Sequence, residues 1–191
     1  MSEERYMAQW RQNLVKSLHQ SKSMPESRYF QMATIDAQGF PCNRTVVYRG
    51  ITEHNQIEVI SDTRSDKFNH LSNNPISQVC WYFSKTREQY RFTCRASIVT
   101  LRDDPDMLKS HWAKLSDAGK KQFLWGRPGT PRNTGAPLNI EGDFNCIPEH
   151  FCVILLSVEF VDYLSLRGNP QYREQHHKDA EGNWVCQSVI P

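Results

Sequence analysis

Two short runs place cations and hydroxyls at the ends of strand-like segments: Asn43-Arg44-Thr45-Val46-Val47-Tyr48-Arg49 and Ser61-Asp62-Thr63-Arg64-Ser65-Asp66-Lys67. The second runs into a helix start, Ser65 to Leu71, where Ser65 offers a hydroxyl beside backbone amides of partial positive charge. Arg64 and Lys67 flank it with a forked donor and a point charge, both suited to phosphate oxygens. In the first run, alternation puts Arg44, Val46 and Tyr48 on one face and Thr45, Val47 and Arg49 on the other. An arginine inside a β-branched strand is costly to bury unless an anion or an acceptor meets it. Each run alone leaves a plainer reading open, a surface Arg44 paired with a carboxylate and an ordinary Ser65 cap flanked by solvated cations. Together they are the equipment for holding a phosphate monoester, so a phosphorylated cofactor is expected.

Other constellations offer less. Gln89 opens a long strand beside Tyr90, Arg91 and Phe92; its amide either pairs across the sheet, faces water, or meets a heteroaromatic ring with donors and acceptors. His176-His177 follow Glu174, but adjacent strand residues point to opposite faces, so only one histidine could join a metal and none is expected. Asp103-Asp104-Pro105-Asp106 reads as helix capping, because no later acidic ligand stands at calcium-loop spacing. There is no Gly-x-Ser-x-Gly elbow and no Walker-type loop, which sets aside a serine hydrolase and a nucleotide kinase.

The elements that must position these groups follow from periodicity. Tyr6, Met7, Trp10, Leu14, Val15 and Leu18 predict an amphipathic helix over 3–20. Strands are expected at 28–35, 42–49, 57–61, 77–83 and 88–99, with a short helix at 65–72 that Asn73-Asn74-Pro75 stops. Residues 103–124 are expected to be helical, capped by Asp103 or Asp104, then a Pro/Gly loop over 126–140. A long strand over 151–166 and a hairpin from Tyr172 to Ile190 close the chain. Six to eight short-spaced strands with few helices predict a mainly β, single-domain antiparallel barrel: an N-terminal helix over 1–22, a core over 25–100, helices over 103–125 and closing strands over 151–191.

The totals agree. A chain of 191 residues, 38% hydrophobic and 23% charged, suits one soluble domain. A net charge of +2 without a basic run gives no electrostatic case for nucleic acid or membrane. The charged start and six cysteines without a Cys-x-x-Cys pair predict a reduced, cytoplasmic protein.

The order Arg44 to Arg49, Ser61-x-x-Arg64-Ser65-x-Lys67, Asn74-Pro75 and Gln89 resembles the pyridoxamine 5′-phosphate oxidase-related family of FMN-binding split barrels, in its cyanobacterial-type branch. Val161-Asp162-Tyr163-Leu164-x-Leu166-Arg167-x-Asn169-Pro170-x-x-Arg173 is similar to that family's closing hairpin. The resemblance implies a homodimeric split β-barrel with FMN at the subunit interface. By that resemblance Arg44, Thr45, Val46 and Val47 line the ring and ribityl chain. Ser61, Arg64, Ser65 and Lys67 surround the phosphate, and Gln89 reaches the ring. Tyr163 and Arg173 come from the second subunit, and Trp125 is a further cofactor contact. Arg49 stands where the oxidases place a substrate-binding lysine, with Arg127 and Arg132 as further substrate cations. Two departures matter: Asp66 replaces a cofactor-binding arginine, and Asn169-Pro170-Gln171 replaces a substrate-gripping Arg-x-His signature. The expected function is therefore an FMN-dependent oxidoreductase for a small anionic or phosphorylated molecule, with vitamin B6 oxidation put in question. A flavin carrier or redox sensor without turnover is the alternative, and an interaction module without cofactor the third.

Overall fold

Alternation and turn chemistry generate most of the sheet. The computed structural model describes residues 8–135, 138 and 142–191. Among these the chain forms α1 (Gln9–Gln20), β1 (Tyr29–Ile35), β2 (Pro41–Val47), β3 (Gly50–Ile51), β4 (Gln56–Asp62), α2 (Asp66–Asn73), β5 (Ile76–Phe83) and β6 (Glu88–Val99). Then follow α3 (Pro105–Ala113), α4 (Asp117–Lys121), β7 (Phe151–Ser165), β8 (Tyr172–Lys178) and β9 (Trp184–Val189). The helix expected over 3–20 is present from Gln9; Tyr6 and Met7 lie outside the described residues. The helical stretch expected over 103–124 is present in pieces. Asp104 caps α3, accepting from the Met107 amide, but Ser116 caps a second short helix by accepting from Gly119. A capping serine inside an apolar-periodic run restarts the helix, and that competing local bond divides it.

Every strand pairing is antiparallel, in the order β2-β1-β5-β6-β7-β4-β3, with β8 on β7 and β9 on β8. The strand β7 is shared: its first half pairs β4 and its second half pairs β8, while β6 runs along its whole length. A register shift at Thr93/Cys94 accommodates that change of partner. Nine strands exceed the expected six to eight, chiefly through the two-residue β3.

One face of the curled sheet encloses a core of Phe30, Met32, Val79, Trp81, Phe83, Tyr90 and Phe92, closed by Trp10 and Leu14 of α1. Trp10 meets Phe92 and Trp184 edge-on at 5.7 and 5.5 Å. Burying each such side chain contributes about 2–3 kcal/mol. A second core packs Leu108, Trp112 and Leu115 against Phe151, Val153 and Leu155 on the other face of β7. That second core fixes α3, α4 and the Trp125 segment beside β4. No helix among the described residues is long and apolar enough to cross a membrane, and all six cysteines are free.

Candidate functional site

The terminal position of β2 in the sheet exposes an edge, whose outward N–H and C=O groups have no strand partner. Along it runs a cleft of about 480 Å³, lined by Arg44, Thr45, Val46 and Val47 of β2, Ser61 and Asp62 of β4, Lys67 of α2, and Phe123, Trp125, Gly126 and Pro128. Sequence reasoning placed seven of these residues, Trp125 among them; it missed Asp62 and, beside Trp125, Phe123, Gly126 and Pro128.

At one end of the cleft two cations converge. Lys67 Nζ donates to Ser61 Oγ at 3.1 Å and Ser65 Oγ at 3.4 Å. Burial first, then the neighbouring Arg44 charge, holds the Lys67 ammonium below the ordinary lysine range. Arg44 points to the inner face, as alternation requires, and Nη1 donates to the Met32 carbonyl at 3.1 Å and Thr34 Oγ1 at 2.7 Å. Thr34 Oγ1 is also bonded to His70 Nδ1 of α2 at 3.0 Å, a contact that joins residues distant in sequence. Burial lowers Arg44 as well. Among the described residues neither cation has a carboxylate within ion-pairing distance. Ser65 ends in extended backbone at the start of α2 and makes no capping bond with its side chain, which instead donates to the Asp62 carbonyl. The first amides of α2 therefore lack an intrahelical acceptor. Two desolvated cations, two hydroxyls and a helix start fit a phosphate monoester, and FMN carries one.

Arg64 is placed differently. Its Nε and Nη2 donate to the Asp62 carboxylate at 3.0 and 2.7 Å, and Nη1 to the Trp125 carbonyl at 3.2 Å. Burial would raise Asp62, but the Arg64 bonds and the His150 charge outweigh it and leave its carboxyl low. Arg64 thus moors the Trp125 wall to β4 instead of lining the cleft. His150 Nε2 assists, 2.6 Å from the Phe123 carbonyl.

The remaining expected residues lie on the outer face of the sheet. Register aligns Thr45, Gln31, Cys80, Arg91, Asp162 and Gln175 in one row across six strands. Gln89 and Arg173 belong to the adjoining row, paired through Leu164. Arg173 Nη2 and Arg91 Nη2 both donate to Asp162, at 2.7 and 2.6 Å, so two guanidinium groups share one carboxylate. Three strand spacings, about 14 Å, separate Gln89 on β6 from β2. Tyr163 faces inward, tilted on Tyr90 at 4.9 Å with its hydroxyl donating to Glu88, and is 7% exposed in the single chain. Arg49 lies past the end of β2, its Nε buried and unpartnered; burial first, and the neighbouring Arg28 charge, lower its pKa. Arg127 and Arg132 share a shallow hollow of about 330 Å³ with Trp125. Of the expected 126–140 loop, residues 136, 137, 139 and 140 lie outside the described ones.

Comparison with known proteins supplies an independent line. The family described as "Pyridoxamine 5′-phosphate oxidase, FMN-binding domain" matches residues 7–100. A protein of Arabidopsis thaliana named pyridoxine/pyridoxamine 5′-phosphate oxidase 2 is 32% identical, over 97% of this chain and 98% of its own. The crystal structure of a pyridoxamine 5′-phosphate oxidase-related, FMN-binding protein from Nostoc punctiforme superposes with a TM-score of 0.88 at 36% identity, covering 97% of this chain and 99% of that one. PhzG from Burkholderia lata, solved with tetrahydrophenazine-1-carboxylic acid, shares the fold at a TM-score of 0.79 but only 13% identity, over 100% of this chain and 98% of that one.

Proposed function

Because the chain belongs to the pyridoxamine 5′-phosphate oxidase-related family of FMN-binding split barrels, we propose that it binds FMN between two copies of itself and acts as an oxidoreductase on a small anionic or phosphorylated molecule. The observation that carries this reading is the Lys67–Arg44 pair, desolvated and without a carboxylate partner. Lys67, Ser61, Ser65 and Arg44 would hold the phosphate, and the β2 edge at Thr45–Val47 would meet the ring's heteroatoms with main-chain groups. Trp125 would cover the opposite wall. Bound FMN supplies hydride-accepting chemistry, and the chain supplies anchoring, ring electrostatics and access.

The dimer is argued from the outer face. Gln89 and Arg173 stand too far from β2 to serve the cleft of their own protomer, whereas a two-fold partner could bring its β6–β8 surface over it. The two guanidiniums on Asp162 leave one net positive charge there, suited to the electron-rich edge of a reduced flavin. Arg49, half-buried past the end of β2, would supply the cation for an anionic substrate group. The name of the Arabidopsis relative makes pyridoxamine 5′-phosphate the first substrate to try, although Asn169-Pro170-Gln171 supply no Arg-x-His grip.

Lys67→Ala and Arg44→Ala test the foundation. Each removes charge-assisted bonds of about 1.5–3 kcal/mol, so FMN should bind about 10- to 150-fold more weakly. Undiminished affinity in both variants, measured by flavin fluorescence titration, would defeat the reading. Reduction of the bound flavin by NADH, NADPH or pyridoxamine 5′-phosphate separates an enzyme from a carrier or sensor.

A further inference from the structure

On the far side of the molecule from the cleft, β8 and β9 bring together three side chains that flavin binding does not use. Glu174 and His176 are alternate residues of β8, on one face, and register sets Cys186 of β9 directly opposite His176. Glu174 and His176 are 5% and 1% exposed, while Cys186 opens to solvent. His176 Nε2 lies 2.9 Å from Glu174 Oε1 and 3.9 Å from Cys186 Sγ. One ligand atom from each of the three falls within 4.8 Å of the others. The strand argument that removes His177 from any such site holds, since His177 is exposed on the opposite face; it could not foresee a thiol arriving from the neighbouring strand.

We propose that Glu174, His176 and Cys186 bind a divalent cation of the zinc class, with the fourth position left to water on the solvent side. The donor set is the borderline-soft mixture of thiolate, imidazole and carboxylate that zinc accepts. The spacing fits. In a tetrahedral site of ordinary bond lengths, nitrogen and oxygen ligands stand about 3.3 Å apart and nitrogen and sulfur about 3.6 Å apart. The observed 2.9 and 3.9 Å need shifts of a few tenths of an ångström, and the Glu174–Cys186 pair, within 4.8 Å, closes by at most about 1 Å through the exposed Cys186 side chain. Glu174 is already oriented by outer partners, accepting from Asn13 Nδ2 of α1 at 3.3 Å and from the Tyr172 hydroxyl, as ligating carboxylates are. On binding, the Cys186 proton leaves to solvent as the metal–sulfur bond forms.

A cysteine nucleophile activated by His176 is the competing use of the same atoms, and the geometry opposes it. A relay needs the two ring nitrogens to serve two partners. Here Nε2 faces both Glu174 and Cys186, which is convergence on a point.

The test uses the untagged, flavin-loaded chain after chelator dialysis. Titration with Zn²⁺ should give one ion per chain, a raised thermal midpoint, and protection of Cys186 from a thiol reagent. Co²⁺ in its place should give tetrahedral visible bands beyond the flavin absorption. Cys186→Ser, an exposed change, should abolish the cobalt–thiolate signature, and Tyr172→Phe should weaken binding about 10-fold through its outer-partner role. Absent binding, or binding that Cys186→Ser leaves unchanged, overturns the proposal. Flavin retention, followed in the same samples, reports separately that the fold is intact.

Discussion

At the scale of single residues, Arg44 shows how a barrel keeps a cation inside its wall. Its guanidinium is aimed by two acceptors, the Met32 carbonyl and Thr34 Oγ1, and Thr34 is held in turn by His70. Thr34 is fully buried, so its hydroxyl cannot exchange this bond for water. Thr34→Val keeps the shape and removes one acceptor, a loss of about 1 kcal/mol in orientation. FMN affinity in Thr34→Val should therefore fall about 5- to 10-fold, less than in Lys67→Ala, with little change in thermal stability. A loss as large as that of Lys67→Ala, by the same fluorescence titration, would mean that Thr34 supports the fold rather than the aim of Arg44. The sequence announced Arg44 and Lys67 through their types and spacing. It could not announce Thr34 or His70, because an isolated Thr and an isolated His carry no signal until register and α2 bring them together.

At the scale of elements, Asp162 ties three strands. Its carboxylate on β7 accepts from Arg91 on β6 and from Arg173 and Gln175 on β8. Burial would raise this carboxyl, but the Arg173 and Gln175 bonds and both arginine charges outweigh it and hold it below the usual range. A depressed folded pKa contributes stability that is present above the unfolded value of about 3.9 and is lost as pH falls through the lower folded value. Denaturant titrations should thus show wild type losing its Asp162 contribution only below about pH 4. Asp162→Asn should be less stable at pH 7 and flatter across the acid limb. Equal acid slopes for the two proteins would refute the linkage. The same strand shows where sequence reading stopped. Alternation puts Asp162 and Tyr163 on opposite faces, and the family resemblance gives Tyr163 a place at the interface; its packing on Tyr90 and its bond to Glu88 depend on register with β6, which strand periodicity alone does not supply. Strand ends were legible because Gly, Asn and Pro punctuate them; the break at Ser116 was not, since Leu115 and Phe123 continue the apolar period across it.

At the scale of the whole molecule, the proposed function makes the cleft half a site. Lys67 and Arg44, the proposed phosphate ligands, stand at its inner end, while Gln89 and Arg173, the proposed ring contacts, lie on the outer face of β6 and β8, with Gln89 about 14 Å away across the sheet. The surface between them carries two exposed rings, Tyr29 and Tyr82, 45% and 44% exposed, with Val47 paired beside Tyr29, among the polar Thr45, Gln31 and Gln78. Two-fold pairing over this face would cover those rings and complete two sites at once. Dimerisation and flavin retention should therefore fail together. Tyr82→Arg leaves Lys67 and Arg44 untouched and adds like charge across a two-fold contact. Light scattering should report a monomer, and the purified protein should be pale, with FMN affinity down at least about 10-fold. A monomer that remains yellow would show that one protomer holds the cofactor alone, and a dimer that remains yellow would move the interface away from this face.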